Sequence, residues 1–285
     1  MDKFECDLSA LRSGGPVQKT KQEYQAMIAD LVETLIEFAQ RHDLSTDEYL
    51  QALAYLTEVG QSDEMILLGD AMHLSIAIDD MTHRDATGST ATNVEGPFYI
   101  PDSPLLGPPY RLCSFDEPGH PLIVTGRVTD SSTGEPVPSA VLDLWQASAD
   151  GFYEMQKPER GPNYLRAKVP VDSGGRFEFR TIVPASYEIP KEGPVGRLLT
   201  FLDRHAFRAN HIHFKMDTEG YQPLTTQIFF SDNEWLRGDV VGAVKDALIV
   251  DLAEEADEVR AKELEVRSPF FTTSFDISLQ RQVLD

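Results

Sequence analysis

Two histidines and two tyrosines are the side chains of this sequence best suited to chemistry. His211 and His213 sit in the run Arg208-Ala-Asn-His211-Ile-His213-Phe-Lys, which reads as a strand. In a strand, residues i and i+2 point to the same face, so both imidazoles can reach one metal ion. Upstream, Tyr153 ends the run Asp143-Leu-Trp-Gln-Ala-Ser-Ala-Asp-Gly-Phe-Tyr153, and Tyr187 lies in Pro184-Ala-Ser-Tyr187-Glu-Ile-Pro190. Both tyrosines are in loop settings. The four together offer two nitrogen and two oxygen donors. Imidazole with phenolate suits a hard trivalent iron better than zinc. A bound ion would hold the phenols ionised although a free phenol has a pKa of about 10. The histidine pair alone also fits a zinc hydrolase, but no third histidine or carboxylate stands near it in a ligand-like motif.

Such a set needs a rigid scaffold, and the chain changes texture near residue 90. Before that point it reads as helices. Over residues 17–42, apolar residues recur at helical spacing through Met27, Ile28, Leu31, Val32, Leu35 and Phe38. Ser45 with Glu48 predicts a capping box for a second helix carrying Leu50, Leu53, Leu56 and Val59, with Gly60 as its stop. Ser62 and Asp63 open a third helix predicted over residues 64–80. From Asn93 onward, prolines crowd a loop region and strand-like runs follow at 121–129, 139–146, 176–183, 210–216 and 224–230, separated by turn signals. Short strands with frequent turns predict an antiparallel sandwich. Helix and strand readings compete over residues 233–265. The expected division is therefore a helical linker or dimerisation domain at 1–90 and a catalytic β-sandwich domain at 91–285.

Composition narrows the function. Among 285 residues the formal net charge is −22. A chain this acidic repels nucleic acid and anionic membranes. No apolar run approaches membrane-spanning length, so neither a nucleic-acid partner nor membrane insertion is expected. The two cysteines, Cys6 and Cys113, are too distant and too few for a disulfide framework. With no visible signal peptide, they are expected to be reduced thiols in a cytoplasmic protein.

The segments around the four donors resemble those of the intradiol ring-cleavage dioxygenases, the catechol, chlorocatechol and hydroxyquinol 1,2-dioxygenases. The resemblance takes in the helical N-terminal layer, Glu95-Gly-Pro-Phe-Tyr99, Asp143-Leu-Trp with Asp150-Gly-Phe-Tyr153, Pro184-x-x-Tyr187, Arg208-x-x-His-x-His213 and Thr225-Thr-Gln227. The spacings agree too: 34 residues from Tyr153 to Tyr187, 24 to His211 and 16 more to Gln227. One departure is Gln146, where family members often have histidine, a position outside the family's metal ligands.

The resemblance implies a prealbumin-like β-sandwich catalytic domain behind the α-helical N-terminal layer. It implies Fe(III) bound by Tyr153, Tyr187, His211 and His213, with Tyr187 the phenolate that leaves when substrate enters. Arg208 would stabilise charge on the substrate ring and Gln227 would orient groups beside the metal. The substrates would be a small aromatic diol or triol and dioxygen, and the chain would form a homodimer through its N-terminal helices, with room for a bound lipid. It also places Leu67, Asp70, Val94, Pro97, Phe98, Ile189, Pro190 and Val241 around the ring. A carboxylate such as Asp70 in an apolar pocket needs a donor. A third ring hydroxyl would supply one, which favours hydroxyquinol (benzene-1,2,4-triol), opened to 3-hydroxy-cis,cis-muconate or its tautomer maleylacetate. The alternatives are catechol or a chlorocatechol, with Asp70 bonded to a backbone amide or an arginine instead, and, in another class, a non-catalytic prealbumin-type binding module.

Overall fold

The computed structural model describes residues 19–84 and 88–282; Cys6 and the start of the first predicted helix lie outside them. The described residues up to Thr57 form one compact unit, and those from Glu58 onward form another.

The first unit is helical for local reasons. Helix α1 (Lys21–Arg41) opens on a capping box: Thr20 accepts from the Glu23 amide at 3.3 Å, and the Glu23 carboxylate accepts from the Thr20 amide at 2.6 Å. Helix α2 (Thr46–Gln61) opens on the Ser45–Glu48 box foreseen from the sequence, with matching bonds of 3.3 and 2.8 Å. No residue of α1 is buried, and its apolar stripe from Met27 to Phe38 stays about half exposed, Ile28 at 59%. A stripe that apolar and that open is a surface built to be covered.

The third predicted helix is two. Helix α3 (Met65–Ala71) and helix α4 (Leu74–Thr82) are separated at His73, whose φ of 61° is left-handed. A non-glycine residue in that conformation needs support. His73 has it: its amide donates to Asp70 O at 2.9 Å and its Nε2 lies 3.2 Å from Val240 O. That tertiary anchor is invisible to helical periodicity.

The second unit is built on two five-stranded sheets. The first centres on β1 (Pro121–Asp130). The second begins with β2 (Val141–Gln146) and β3 (Arg166–Pro170), and β4 (Arg176–Ile182) returns to β1. A small ribbon pairs β5 (Tyr187–Glu188) with β6 (Phe207–Arg208), around helix α5 (Pro194–Phe201). Strands β7 (His211–Met216), β8 (Leu224–Phe230) and β9 (Ile249–Val250) complete the second sheet in the order β3-β2-β7-β8-β9. Strand β10 (Ala253–Glu255), helix α6 (Glu258–Glu263), β11 (Phe270–Ser274) and β12 (Ile277–Leu279) finish the chain. Aromatic rings fill the space between the sheets: Phe177 and Phe179 of β4 lie 6.4 and 6.1 Å from Phe214 of β7.

This is the expected sandwich, and all five predicted strands are present. It departs from a purely antiparallel one where β11 and β12 run parallel to β1 and β9 runs parallel to β8. Those late strands pair with strands far earlier in the chain or across a long connection, which local pattern does not announce. Among the described residues no helix is long and apolar enough to cross a membrane. Cys113 is a free thiol whose pKa burial pushes up to about 12.

The end of β1 is locked by Asp130. One oxygen accepts from the Ser132 amide, the Ser132 hydroxyl and the Thr133 amide at 2.8, 2.6 and 3.1 Å. The other takes the Tyr221 hydroxyl at 3.1 Å and Arg281 Nε at 2.5 Å. The Ser132 hydroxyl, aided by the Ser132 amide, Tyr221 and Thr133, holds this carboxyl well below its usual value of 3.8. A depressed folded pKa adds stability that is complete above the unfolded value and fades as pH falls from there toward the folded one. Asp130→Asn should therefore lower the urea midpoint at pH 6, and the gap to the parent should narrow at pH 3. A gap that is constant with pH would show that the charge of Asp130 plays no part.

Candidate active site

Strand β7 delivers both histidines to one face. His211 and His213 are 1% and 2% exposed, and their Nε2 atoms approach to 3.1 Å. His211 Nδ1 donates to Ala209 O at 2.7 Å, so the proton sits on Nδ1 and Nε2 presents a bare lone pair. His213 is held differently. Its ring stacks on Trp145, opposite it in β2, at 4.4 Å and 10°, while its Nδ1 has no hydrogen-bond partner among the described residues. Burial keeps both imidazoles neutral. It brings the pKa of His211 down to about 3, with the charge of Arg208 adding to the effect. For His213, burial is followed by His211 and Arg208.

The tyrosines arrive from two loops. Tyr153 follows the Gly151 turn after β2; its hydroxyl lies 3.2 Å from His211 Nε2 and 3.4 Å from His213 Nε2. Gly151 has a φ of +82°, and a Cβ there would meet Ser186 O and Tyr187 Cβ at 3.2 Å each. Only glycine lets the two tyrosine loops approach so closely. Tyr187 is placed by the ribbon, paired with Arg208, and its ring stands edge-on to Tyr153 at 5.3 Å and 85°. Phe98 stacks on Tyr153 at 4.3 Å and 16° and closes the group. Burial raises the pKa of both phenols; for Tyr153 the neighbouring Tyr187 adds to it, and for Tyr187 the charge of Arg208 works the other way.

One phenol oxygen and two imidazole nitrogens therefore converge at mutual separations of 3.1–3.4 Å in a dry interior. Donors bonded to one small cation at about 2.0–2.2 Å stand roughly this far apart. The Tyr187 ring, edge-on to Tyr153 at 5.3 Å, brings a fourth donor to hand. The set could hold a hard metal ion. Among the described residues no three His, Cys, Asp or Glu side chains are grouped for a metal, so a zinc hydrolase lacks its ligands here.

A second feature surrounds the quartet. Arg208, 3% exposed, donates from Nε to Asp239 Oδ2 at 3.0 Å and from Nη2 to Gln227 Oε1 at 3.0 Å. Gln227 Nε2 donates to Val94 O at 2.7 Å. The Val94 amide donates to Asn93 Oδ1 at 2.8 Å, and Asn93 Nδ2 donates to Ala243 O at 2.7 Å. The Ala243 and Val241 amides donate to Asp239 Oδ1 at 3.3 and 3.1 Å, and the Ala209 amide joins Arg208 on Oδ2 at 2.9 Å. The circuit closes on itself. Burial alone would discharge both partners, but their mutual attraction outweighs it: Asp239 stays below its usual carboxylate value and Arg208 above its usual guanidinium value.

The structure brings together Tyr153, Tyr187, His211, His213, Arg208, Gln227, Phe98, Val94 and Val241 through these bonds and ring contacts. Ile189 follows Tyr187 and is buried, its amide bonded to Ala206 O at 2.9 Å. Pro97 and Pro190 are exposed on the flanking loops. Leu67 and the buried Asp70 lie on α3, whose ends are tied to the segment after Tyr187: Glu64 accepts from the Val195 amide and Ala71 O accepts from Arg204, at 2.9 and 2.8 Å. Asp239 and Asn93 were missed from the sequence. Asp239 falls in the ambiguous stretch 233–265, and Asn93 precedes a recognised motif by two residues. Gln146 plays a structural part, bonded to Ile182 O at 2.9 Å and to Thr181 at 2.7 Å. A surface groove of about 950 Å³ beside Pro109, Arg127 and Arg176 is lined by none of the quartet.

Comparison with known proteins identifies the family of the chain. The family described as catechol dioxygenase N terminus matches residues 21–90, and the family described as dioxygenase matches residues 94–281. The hydroxyquinol 1,2-dioxygenase of a Rhizobium species is 35% identical over 86% of this chain and 84% of its own length. The catechol 1,2-dioxygenase of Acinetobacter baylyi is 32% identical over 96% of this chain and 89% of its own. The crystal structure of a Pseudomonas putida hydroxyquinol 1,2-dioxygenase superposes with a TM-score of 0.85 at 34% identity, covering 93% of this chain and 94% of that one.

The close approach at Gly151 gives a direct check. Gly151→Ala adds a left-handed strain of roughly 1–2 kcal/mol before any contact is counted. Urea unfolding should show at least that loss. An unchanged midpoint would mean that the tyrosine loops have slack.

Proposed function

This chain belongs to the intradiol ring-cleavage dioxygenases, and from that premise we propose that it opens hydroxyquinol between its two adjacent hydroxyl-bearing carbons. Both atoms of one dioxygen enter the product, a ring-opened dicarboxylate, 3-hydroxy-cis,cis-muconate or its tautomer maleylacetate. The cofactor is a non-haem Fe(III) held by Tyr153, Tyr187, His211 and His213. The observation that carries this reading is the convergence of Tyr153 Oη with the two Nε2 atoms at 3.1–3.4 Å. When bound, the iron supplies the Lewis acidity that draws electron density from the diol and makes its ring reactive toward dioxygen.

The chain's own residues do the rest. Tyr187 is the phenolate placed to accept a proton from the entering diol, since it sits on the two-residue ribbon β5 and is less enclosed than Tyr153, which Phe98 covers. Arg208 presents a fixed positive charge in a water-poor pocket, where negative charge on the ring is stabilised most. Gln227 orients that guanidinium through its Oε1. Val94, Phe98, Ile189 and Val241 give the ring apolar walls, with Leu67, Pro97 and Pro190 at the margin. Asp70 accepts the third hydroxyl, which a plain catechol lacks. Catechol and chlorocatechol, the substrates named for other relatives, are the second reading.

Residues 1–90 serve as a dimerisation layer and residues 91–285 as the catalytic domain of a cytoplasmic homodimer. The exposed apolar stripe of α1 supports this, and it gives a lipid chain a surface to occupy. Small diols and dioxygen are the only partners the site itself requires.

The visible spectrum tests the cofactor. Iron-loaded protein should show a broad tyrosinate-to-Fe(III) charge-transfer band that chelation abolishes and that shifts to longer wavelength on anaerobic addition of hydroxyquinol. A protein that stays colourless after iron loading would overturn the assignment and return the chain to a binding module. The substrate is tested separately. Asp70→Leu should lower kcat/KM for hydroxyquinol relative to catechol by about tenfold or more, the loss of one hydrogen bond to a charged group. Equal losses on both diols would remove Asp70 as the reader of the third hydroxyl.

A further inference from the structure

The geometry points to Asp239 as a positioning residue for this reaction, acting with Asn93 to close a hydrogen-bonded belt that holds Arg208 in one arrangement. The inference rests on the role given to Arg208 above.

An arginine side chain carries much rotamer freedom, and a guanidinium tethered at one point still swings about its terminal torsions. Arg208 is tethered at two, from Nε to Asp239 and from Nη2 to Gln227. The acceptors come from different parts of the chain, the loop after β8 and the body of β8. Asp239 is the junction. Its two oxygens divide their labour: Oδ2 takes Arg208 and the Ala209 amide, Oδ1 takes the Val241 and Ala243 amides. The same carboxylate thus fastens the cation to the backbone of residues 241–243. On the far side of the circuit Asn93 bridges Val94 to Ala243. Both Asp239 and Asn93 are buried, so water cannot replace a lost bond cheaply.

Asp239→Asn keeps the size but leaves only one oxygen to accept. Whichever way the amide turns, one pair of N–H donors loses its acceptor. The experiment is a double-mutant cycle in the iron-loaded protein, with Arg208→Gln as the second change, read by steady-state kinetics on hydroxyquinol and by anaerobic diol titration of the visible band. The expected result is a fall in kcat of roughly tenfold to a hundredfold for Asp239→Asn, the cost of a misplaced group near the reacting centre. The diol concentration that shifts the band should change much less. In the Arg208→Gln background the same substitution should cost less than about twofold, because its effect passes through the arginine. A loss of the same factor in both backgrounds, or a kcat within about twofold of the parent, overturns the assignment.

Should Asp239→Asn fail to fold, Asn93→Ala opens the belt on the opposite side and touches neither Arg208 nor any proposed iron ligand. It should lower kcat severalfold in the parent and leave the Arg208→Gln protein unaffected; an unchanged kcat in the parent overturns the belt. Failure of the functional reading looks different, since the parent itself would then show neither an iron band nor turnover of any diol.

Discussion

Everything around the quartet answers one demand: uncharged lone pairs must face each other at about hydrogen-bond distance where no water can intervene. Burial meets the first half of that demand, because it disfavours protonated imidazole and keeps His211 and His213 as neutral donors. The same burial disfavours phenolate, so Tyr153 and Tyr187 give up their protons only when a cation repays them. The site is therefore selective in its own chemistry. As the proposed iron site, it would favour a hard, highly charged ion, able to ionise two phenols at once, over a softer one that two imidazoles would satisfy.

Holding that geometry falls to parts of unequal stiffness. The histidines stand on a central strand, flanked by β2 and β8, and are the least mobile members by construction. His211 is fixed by a hydrogen bond to Ala209 O and His213 by the face of Trp145, two solutions to one problem of ring orientation. The tyrosines come from loops whose close approach Gly151 permits. Arg208, a buried full charge beside the quartet, is matched by the Asp239 carboxylate and tied into the circuit through Asn93. In a chain of net charge −22 this is a local balance; the remaining acidic residues do not decide the field inside the pocket.

How much of this was legible depended on how local the cause was. The period of two put His211 and His213 on one face, and the capping boxes at Thr20 and Ser45 are written in four-residue windows. The five longest strands carry their own alternation or β-branched runs. What escaped has its cause elsewhere in the chain. The break at His73 depends on Val240, more than 160 residues away, and the parallel strands β11 and β12 depend on pairing with β1, far earlier in the chain. Asp239 lies in a stretch with neither helical nor strand period, because its residues are ordered by bonds to one carboxylate and not by a ladder. The four donors could be proposed from residue types and spacing, whereas the belt around them could not, since asparagine and aspartate in loops usually bond their own backbone.

In the proposed reaction, the place of Asp70 on α3 would tie substrate choice to Tyr187. Helix α3 is short, and its ends are held by Glu64 to the Val195 amide and by Arg204 to Ala71 O. Both anchors lie on the segment that continues from Tyr187 through α5. If Asp70 meets the third hydroxyl and Tyr187 yields to the diol, as proposed, the two share one strap. On that proposal, tightening the fit at Asp70 would pull on the segment from which Tyr187 is released, and substrate selectivity and phenolate release would be coupled through the same few bonds.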